Sequence, residues 1–334
     1  MKRRFALKGL ASALVLTAVF APAAQAAAEN YPSRPITIVV PYPPGGVTDQ
    51  AARLVAEVLT DKFGQSVVVE NRPGANGLIG QQRVADAAPD GYTLMLNGLG
   101  GNVIPPATIQ GLPLDIPKAF VPIAEVAEFV NVLIVGDKSP YKSAKDLANA
   151  AKEKGPESFS FGSNGVGTSS HLTSEFFAQT AGVKMLHVPY KGGAEILVDV
   201  VNGNLDLSFN NLPSVLGLIS KGSVRPLAVT SSYRSDRLPN VPTMQEEGFA
   251  DFNVTSWLGI YGPAGMPQAI VDKLGNAIAE GVAKPKTSDK LKAAGFEPKP
   301  GNAQAFAQRN STELARWTKI AKEANVSLKF GGNQ

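Results

Sequence analysis

One pattern constrains this chain above all others. Short apolar, β-branched runs end in turns rich in glycine and proline, and helical periodicity begins straight after them. The first case is the clearest: Ile36-Thr37-Ile38-Val39-Val40 leads into Pro41 and then Tyr42 to Arg53, YPPGGVTDQAAR, with Pro43, Pro44, Gly45 and Gly46 in the turn. Beyond it Ala52, Val55, Val58, Leu59 and Phe63 fall on one helical face, with Gly64 placed as the C′ residue and Thr48 or Asp49 as the N-cap. Strand, glycine-rich turn and helix start together point free backbone N–H groups at an anion. A negatively charged ligand is the first expectation. This stretch alone does not distinguish a phosphate, a dinucleotide or a carboxylate.

The rhythm repeats. Val67-Val68-Val69 runs into Asn71-Arg72-Pro73-Gly74-Ala75-Asn76-Gly77 and a helix through Leu78, Ile79 and Val84, and Tyr92 to Leu96 is a third strand ending at Asn97-Gly98. Three β-loop-α units in this space predict a parallel sheet with covering helices. After a proline-rich passage, Val132 to Val135 reads as a buried strand, and Ser143 with Asp146 opens a helix over Leu147 to Lys154. The short strand Phe159 to Gly162 leads into SNGVGTSS, 163–170, and a helix to Gly182. Strand Met185 to Val188 precedes PYKGG and the helix Ala194 to Val201, followed by strands at Leu205 to Phe209 and Arg225 to Val229. Here the rhythm has restarted, which predicts a second α/β lobe. After a run at Val254 to Tyr261, the rest reads as helical, with one stripe at Ile270, Leu274, Ala277 and Ile278. A second stripe runs through Phe306, Leu314, Trp317, Ile320 and Ala324. The 334 residues are enough for two lobes. We place residues 29–129 plus 253–334 in lobe 1 and 130–252 in lobe 2, joined by short crossing segments that suit a hinge.

Residues 1–26 read as a secretory signal peptide. Lys2, Arg3, Arg4 and Lys8 form a basic start, Leu10 to Phe20 an apolar core too short to span a bilayer, and Ala24-Gln25-Ala26 a cleavage site. The expected location is therefore the periplasm. The whole chain has 32 basic and 28 acidic side chains. All four basic residues of the signal leave with it, so the mature chain is formally neutral. Its charge gives no support for a nucleic-acid partner. Cysteine is absent and the two histidines, His171 and His187, show no metal-ligand spacing. No metal or other cofactor is expected.

Three strand-to-helix loops stand out: 41–49, 163–170 and 189–194. All would lie at the carboxyl ends of parallel strands, where α/β sheets bind ligands. None carries G-x-G-x-x-G: Gly165-Val166-Gly167 is followed by Ser170 at the third glycine position. No G-x-x-x-x-G-K-[ST] occurs, and export argues against nucleotide chemistry. An exported hydrolase would use a serine from 163–170 with His171, but no G-x-S-x-G elbow is present, and triad partners come from separate elements.

Six stretches in register, YPPGGVTDQAAR, VENRPGANG, DGYTLML, FGSNGVGTSSHL, VPYKGGAEILVDVVNGNLDL and PLAVTSSYRSDRLPNVPTMQEEGF, resemble the substrate-binding proteins of tripartite tricarboxylate transporters, the Bug-type receptors. The resemblance covers nearly the whole mature chain. It implies an α/β, two-lobed periplasmic binding protein (type II-like), each lobe a mainly parallel sheet flanked by helices, with a hinged cleft. Such a receptor closes on a small carboxylate, whether a di-, tri- or aromatic carboxylate, and delivers it to large and small permease subunits of the inner membrane. A monomer is expected; a receptor that signals to a membrane sensor kinase is the alternative. The resemblance also implies that the PGG and SNGVGT loops approach the ligand from opposite lobes, holding carboxylates by backbone amides, hydroxyls and waters.

The physical estimate agrees. A carboxylate gains roughly 0.3–1 kcal/mol at an exposed helix N-terminus, up to about 2 when partly buried, and about 1.5–3 per hydrogen bond made to its charge. Four or five such bonds approach the ~8 kcal/mol of a micromolar complex. The candidate ligand-binding residues are Tyr42, Pro44, Gly45, Gly46, Thr48 and Asp49 in the first loop, and Ser163, Asn164, Gly167, Thr168 and Ser169 in the second. Asn97, Tyr190, Asp206 and Thr230 join them from strand ends. For Asp49 a capping role stays open beside the pocket role. His171 and His187 read as scaffold, and Arg53 and Arg72 as structural ion-pair partners. Trp257 fits either the cleft or the core.

Overall fold

The computed structural model describes residues 30–163, 168–190, 193–323 and 326–330. The expected signal peptide, residues 1–26, lies outside them, as do Asn164, Gly167 and Ala324. The first units follow the sequence closely: β1 (Ile36–Val40), α1 (Val47–Phe63), β2 (Val67–Asn71), α2 (Leu78–Ala85) and β3 (Thr93–Gly98). The loose passage resolves into a π-helical turn (Leu99–Val103), α3 (Ile104–Thr108), β4 (Ile109–Gln110) and α4 (Ile116–Ala119), before the long strand β5 (Phe120–Gly136). Next come α5 (Ala144–Lys154), β6 (Ser160–Ser163), α6 (Ser169–Ala181), β7 (Leu186–Pro189), α7 (Gly193–Asn202), β8 (Leu207–Asn211), α8 (Leu212–Ser220) and β9 (Val224–Val229). The chain returns through β10 (Thr255–Pro263), α9 (Gln268–Ala283), α10 (Pro285–Ala293), β11 (Glu297–Gly301), α11 (Ala303–Glu323) and β12 (Leu328–Lys329).

Local signals explain the boundaries. Ser143 caps α5 by accepting from the Asp146 N–H at 3.0 Å. Helix α1 ends at Gly64, whose φ of 68° is left-handed. The N-cap of α1 is Gly46, not Thr48 or Asp49, which lie inside its first turn. The C-terminal part is not wholly helical. β11, EPKPG, pairs with β5 and with no other strand, an edge position that tolerates two prolines. Helix α8, LPSVLGLIS, has no polar face to give it a clear helical period and emerges only in the structure.

Strand β5 organises the sheet. Its residues 120–130 pair antiparallel with β10, and β11 joins along 125–128. Its residues 131–136 pair antiparallel with β8 and β9 instead. On the first side β3, β1 and β2 continue beyond β10, with β1 parallel to both neighbours; on the second, β6 and β7 continue parallel from β8. One strand therefore serves two helix-covered sheets. Near-continuous burial gives β5 no alternation, which is why only its Val132 to Val135 core stands out in sequence.

Each sheet has its own packing. Ala52, Val55 and Leu59 of α1 join Leu274 and Ile278 of α9 over β1 and β3. On the second sheet Phe177 meets Phe209 and Phe249 edge-on, at 5.7 and 5.3 Å. Trp257 is 1% exposed and packs edge-on against Phe306, so it belongs to the core. Buried acids on β5 are neutralised from α11: the Arg309 guanidinium donates to Glu125 and, at 3.0 Å, to Glu128.

The switch of partners falls at Val130 and Asn131, and Thr230 holds it. Its hydroxyl accepts from the Asn131 N–H at 3.1 Å and donates to the Val254 carbonyl at 2.5 Å. Its own N–H donates to the Asn131 carbonyl, and its carbonyl accepts from the Val254 N–H. Both chain crossings are thus tied through one residue. Thr230→Val keeps the shape and removes the hydroxyl, stranding buried backbone groups. Urea unfolding is expected to show a loss of roughly 1–3 kcal/mol, with circular dichroism unchanged; a loss under about 0.5 kcal/mol, the usual range for surface substitutions, would contradict this role.

Candidate ligand-binding cleft

The first loop is shaped by Asp49. Gly45 has a φ of 83°, which only glycine adopts freely, and its N–H donates to Asp49 Oδ2 at 2.9 Å. The same oxygen accepts from Arg53 Nε at 2.9 Å, while Oδ1 accepts from Arg53 Nη2 and Asn71 Nδ2, both at 3.0 Å. Burial raises the carboxyl pKa, but the bonds from Arg53, Gly45 and Asn71 outweigh it and hold the group below its ordinary range. Asp49 is 3% exposed with both oxygens engaged, so it braces the loop from beneath. Asn71 also donates to the Tyr42 carbonyl at 3.1 Å, tying in the end of β2.

Tyr42 and Asn97 lie under this loop as well. Burial pushes the Tyr42 hydroxyl up to about 12, and it reaches Asn97 Oδ1 at 3.5 Å. Asn97 is 1% exposed and donates to Asn102 Oδ1 at 2.7 Å. Arg53 is the ion-pair partner of Asp49, and Arg72 that of Glu70.

On the second sheet the two histidines form a stack next to Ser163, the last residue of β6. Ser163, with no exposed surface, shares a hydrogen bond of 2.6 Å with His187 Nε2. The His187 ring lies on His171, centroids 4.0 Å apart, and on Phe161 at 4.9 Å. Burial, then the neighbouring His171, pushes His187 down to about 4. Thr168 caps α6, its hydroxyl accepting from the His171 N–H at 3.5 Å. Tyr190 donates to Asp199 at 2.5 Å, and burial first, Asp199 second, pushes it up to about 12.

Between the two halves of the sheet lies a cleft of about 440 Å³. Four helices start at its walls. Gly45, Gly46, Val47 and Gln50 come from the start of α1, and Ser169 and Ser170 from α6. Gly193, Ala194 and Leu197 come from α7, and Asn211, Pro213 and Ser214 from α8. Asn131, Phe209 and Asn210 complete the lining. The N-caps of α1 and α8, Gly46 and Asn211, make no side-chain cap bond. First-turn N–H groups there are without side-chain partners, and each helix end carries a partial positive charge. No Lys or Arg is among these lining residues. A comparable depression of about 450 Å³ on the outer face of α1 is lined by paired charges such as Lys286 with Asp61.

Of the candidates from sequence, Gly45, Gly46 and Ser169 line the cleft. Tyr42, Thr48, Asp49, Asn97, Ser163, Thr168 and Tyr190 belong to the elements around it, and Pro44 is exposed outside its lining. Asn164 and Gly167 fall outside the described residues. Two candidates are placed elsewhere. Asp206 accepts from the Ser160 N–H and hydroxyl, at the start of β6 and so the end away from Ser163. Thr230 is fully buried at the crossing. Sequence reasoning missed Asn131, Asn210, Asn211 and Ser214; the Asn-Asn-Leu-Pro junction carries the same strand-to-helix signal in its shortest form, with proline inside the first turn.

Comparison with known proteins decides the family: residues 51–326 match the model of the tripartite tricarboxylate transporter family receptor. The chain belongs to this receptor family. The receptor is 37% identical over 326 residues to a UPF0065 protein from the tcbD-tcbE intergenic region of Pseudomonas sp. (strain P51), covering 97% of this chain and 95% of that one. It is 34% identical to the protein BugT of Bordetella pertussis, over 92% of this chain and 94% of that one. Among solved structures, a Rhodopseudomonas palustris protein with adipate superposes with a TM-score of 0.83 at 34% identity, over 89% of this chain and 99% of that one. MatC of Rhodopseudomonas palustris with bound malate gives 0.77 at 29% identity, over 87% and 99%.

The histidine stack gives the receptor a pH dependence of defined sign. His187 stays neutral in the folded protein down to about 4, whereas in the unfolded chain it takes its proton near ~6.5. The unfolded state thus binds more protons between these values, and stability falls as pH drops through that window. His187→Gln keeps a hydrogen-bonding amide for Ser163 and removes the titration. The loss of melting temperature from pH 7 to pH 4.5 is expected to be smaller in this variant; an unchanged pH slope would contradict the assignment.

Proposed function

We propose that the receptor captures a small carboxylate in the periplasm and presents it to the permease subunits of a tripartite tricarboxylate-type transporter. The observation that carries this reading is the convergence of four helix N-termini on one cleft lined by no cationic side chain among the described residues. Such walls supply N–H donors to a carboxylate and need no arginine. The adipate and malate bound to its structural relatives are both carboxylates, in keeping with this chemistry. Gly45, Gly46 and Ser169 contact the ligand, and Asn164, Gly167 and Thr168 join them as ligand-binding residues, with Ser163 supporting from the end of β6. Asp49, Tyr42 and Asn97 hold the first loop in shape.

Residues 29–129 with 253–334 act as one lobe and 130–252 as the other, closing about the crossing at Asn131 and Thr230. A ligand that touches both lobes selects the closed form. We infer a monomeric binding protein and not an enzyme. The Ser163 hydroxyl, paired with His187, has no exposed surface from which to attack a substrate carbonyl. The same closure would also serve a membrane sensor kinase; transport is favoured because it is the role of the family.

Two measurements test this reading. A thermal-shift screen of mono-, di- and tricarboxylates is expected to give a stabilising ligand that is recovered unchanged; hydrolysis of an ester or amide that disappears in Ser169→Ala would overturn it. In Gly46→Val the new Cβ meets only the Pro43 carbonyl oxygen, at 3.6 Å, and φ of −73° with ψ of 172° suits a β-branched residue. The fold is expected to survive while carboxylate affinity drops roughly 100-fold or more, the loss of several charge-assisted hydrogen bonds. Unchanged affinity would show that the loop is only a turn.

A further inference from the structure

Beside the two chain crossings, a side-chain hydrogen bond spans the lobes proposed above. The Tyr233 hydroxyl donates to Glu128 Oε1 at 2.5 Å. Each partner is anchored in its own lobe. Glu128 lies on β5 between β10 and β11, in register with Trp257 and Glu297. Its carboxylate also meets Lys299 of β11 at 3.2 Å and Arg309 of α11 at 3.0 Å. Tyr233 follows β9, and its carbonyl accepts from the Ser231 hydroxyl at 2.5 Å. The next residue, Arg234, donates to Glu246 at 2.9 Å and to the Pro239 carbonyl at 3.2 Å. Glu246 in turn accepts from the N–H of Thr243, which bridges to Val229 of β9. The neighbouring bonds, from the Ser232 N–H to Asn253 Oδ1 and from the Thr230 hydroxyl to the Val254 carbonyl, end on the crossing itself.

The position of this bond makes it sensitive to the angle between the lobes. Glu128 is two residues from Val130, roughly 7 Å along a strand. At that radius a rotation of about 10° separates the partners by roughly 1 Å, enough to carry a 2.5 Å bond to the limit of hydrogen bonding. Burial raises the Glu128 pKa, but the bond from Tyr233 and the charges of Arg309 and Lys299 outweigh it and hold the carboxyl below its ordinary range. Burial, then Glu128, pushes the Tyr233 hydroxyl up, so a neutral donor meets an ionised acceptor. The bond is also free to open. Lys299 and Arg309 belong to the same lobe as Glu128, so parting of the lobes would leave the carboxylate paired. Tyr233 is 38% exposed and would turn to water. In the structure the bond is made while α1 of one lobe and α6, α7 and α8 of the other line one cleft, the arrangement in which a ligand touches both.

We propose that Tyr233 is a positioning residue, whose bond to Glu128 latches the two lobes at the angle at which both face the ligand. This rests on the two-lobe reading above and adds the contact that biases it. Apparent affinity scales with the fraction of protein in the competent form, so the latch acts on a ligand it never touches.

The chain contains no cysteine, so spin labels can be attached at Thr60→Cys on α1 and Glu153→Cys on α5, both exposed and on opposite lobes. Double electron–electron resonance then reads the distance between the lobes. Tyr233→Phe keeps the ring and removes only the hydroxyl. Without ligand, this variant is expected to move weight from the distance seen with Tyr233 to a second one, and excess adipate or malate to restore the first. Calorimetry with whichever of the two acids binds should show affinity about tenfold weaker in the variant; should neither bind, the distances alone decide. A distribution that adipate or malate shifts but Tyr233→Phe does not overturns the latch and leaves the two-lobe reading standing. A distribution that neither the substitution nor either acid moves overturns both. Affinity within about twofold of that with Tyr233 also overturns the latch, whatever the distances show.

Discussion

Strand β5 is the constraint on which the other elements depend. A buried backbone must pair its N–H and carbonyl groups, and this strand is buried over nearly all of its 17 residues. It meets that demand by drawing partners from two sheets, β10 and β11 along its first part and β8 and β9 along its second. The two sheets are therefore joined at Val130 and Asn131, and the cleft opens at that junction. The helix starts after β1, β6 and β8 then line it together, because the strands that precede them are ordered outward from β5. Thr230 matters for the same reason: it satisfies the backbone where the partners change.

Four helix starts line the cleft, and no cationic side chain is among its described lining residues. Backbone dipoles are fixed by their helices, so they need no side-chain ordering when the ligand arrives. A carboxylate so close to the first loop, as Asp49 is, would repel an anionic ligand if left alone. Its bidentate pairing with Arg53 cancels that charge, and the bonds to Gly45 and Asn71 convert it into a brace for the turn.

Much of this was legible in sequence because it depends on local chemistry. Glycine at a positive φ, proline beside it and a helical stripe beyond it define a strand-turn-helix unit wherever they occur, and Gly45, Gly46 and Ser169 were found that way. The histidines, read from sequence as scaffold, stack on one another and on Phe161. What failed was the inference from strand ends to the cleft. Asp206 precedes β8 and lies at its far end, and Thr230 directly follows β9, where the chain turns into the crossing. A residue type near a strand end does not reveal which end of the sheet it occupies. Asn131 was invisible for a related reason: inside a long buried strand, nothing local marks the point at which partners change.

The sequence by itself determined the α/β class, the repeated glycine-rich turns between strand and helix, the export signal as an expectation and the family. Each follows from short-range rules of backbone geometry, hydrophobic period or motif order. Only the tertiary structure decided that four helix starts share one cleft, that Asp49 faces inward as a brace, that Trp257 is core, and that Asn131 sits on the floor. Those facts depend on which strands pair across long sequence separations, and pairing is settled by the simultaneous burial of apolar faces and backbone groups along β5, which no local pattern encodes.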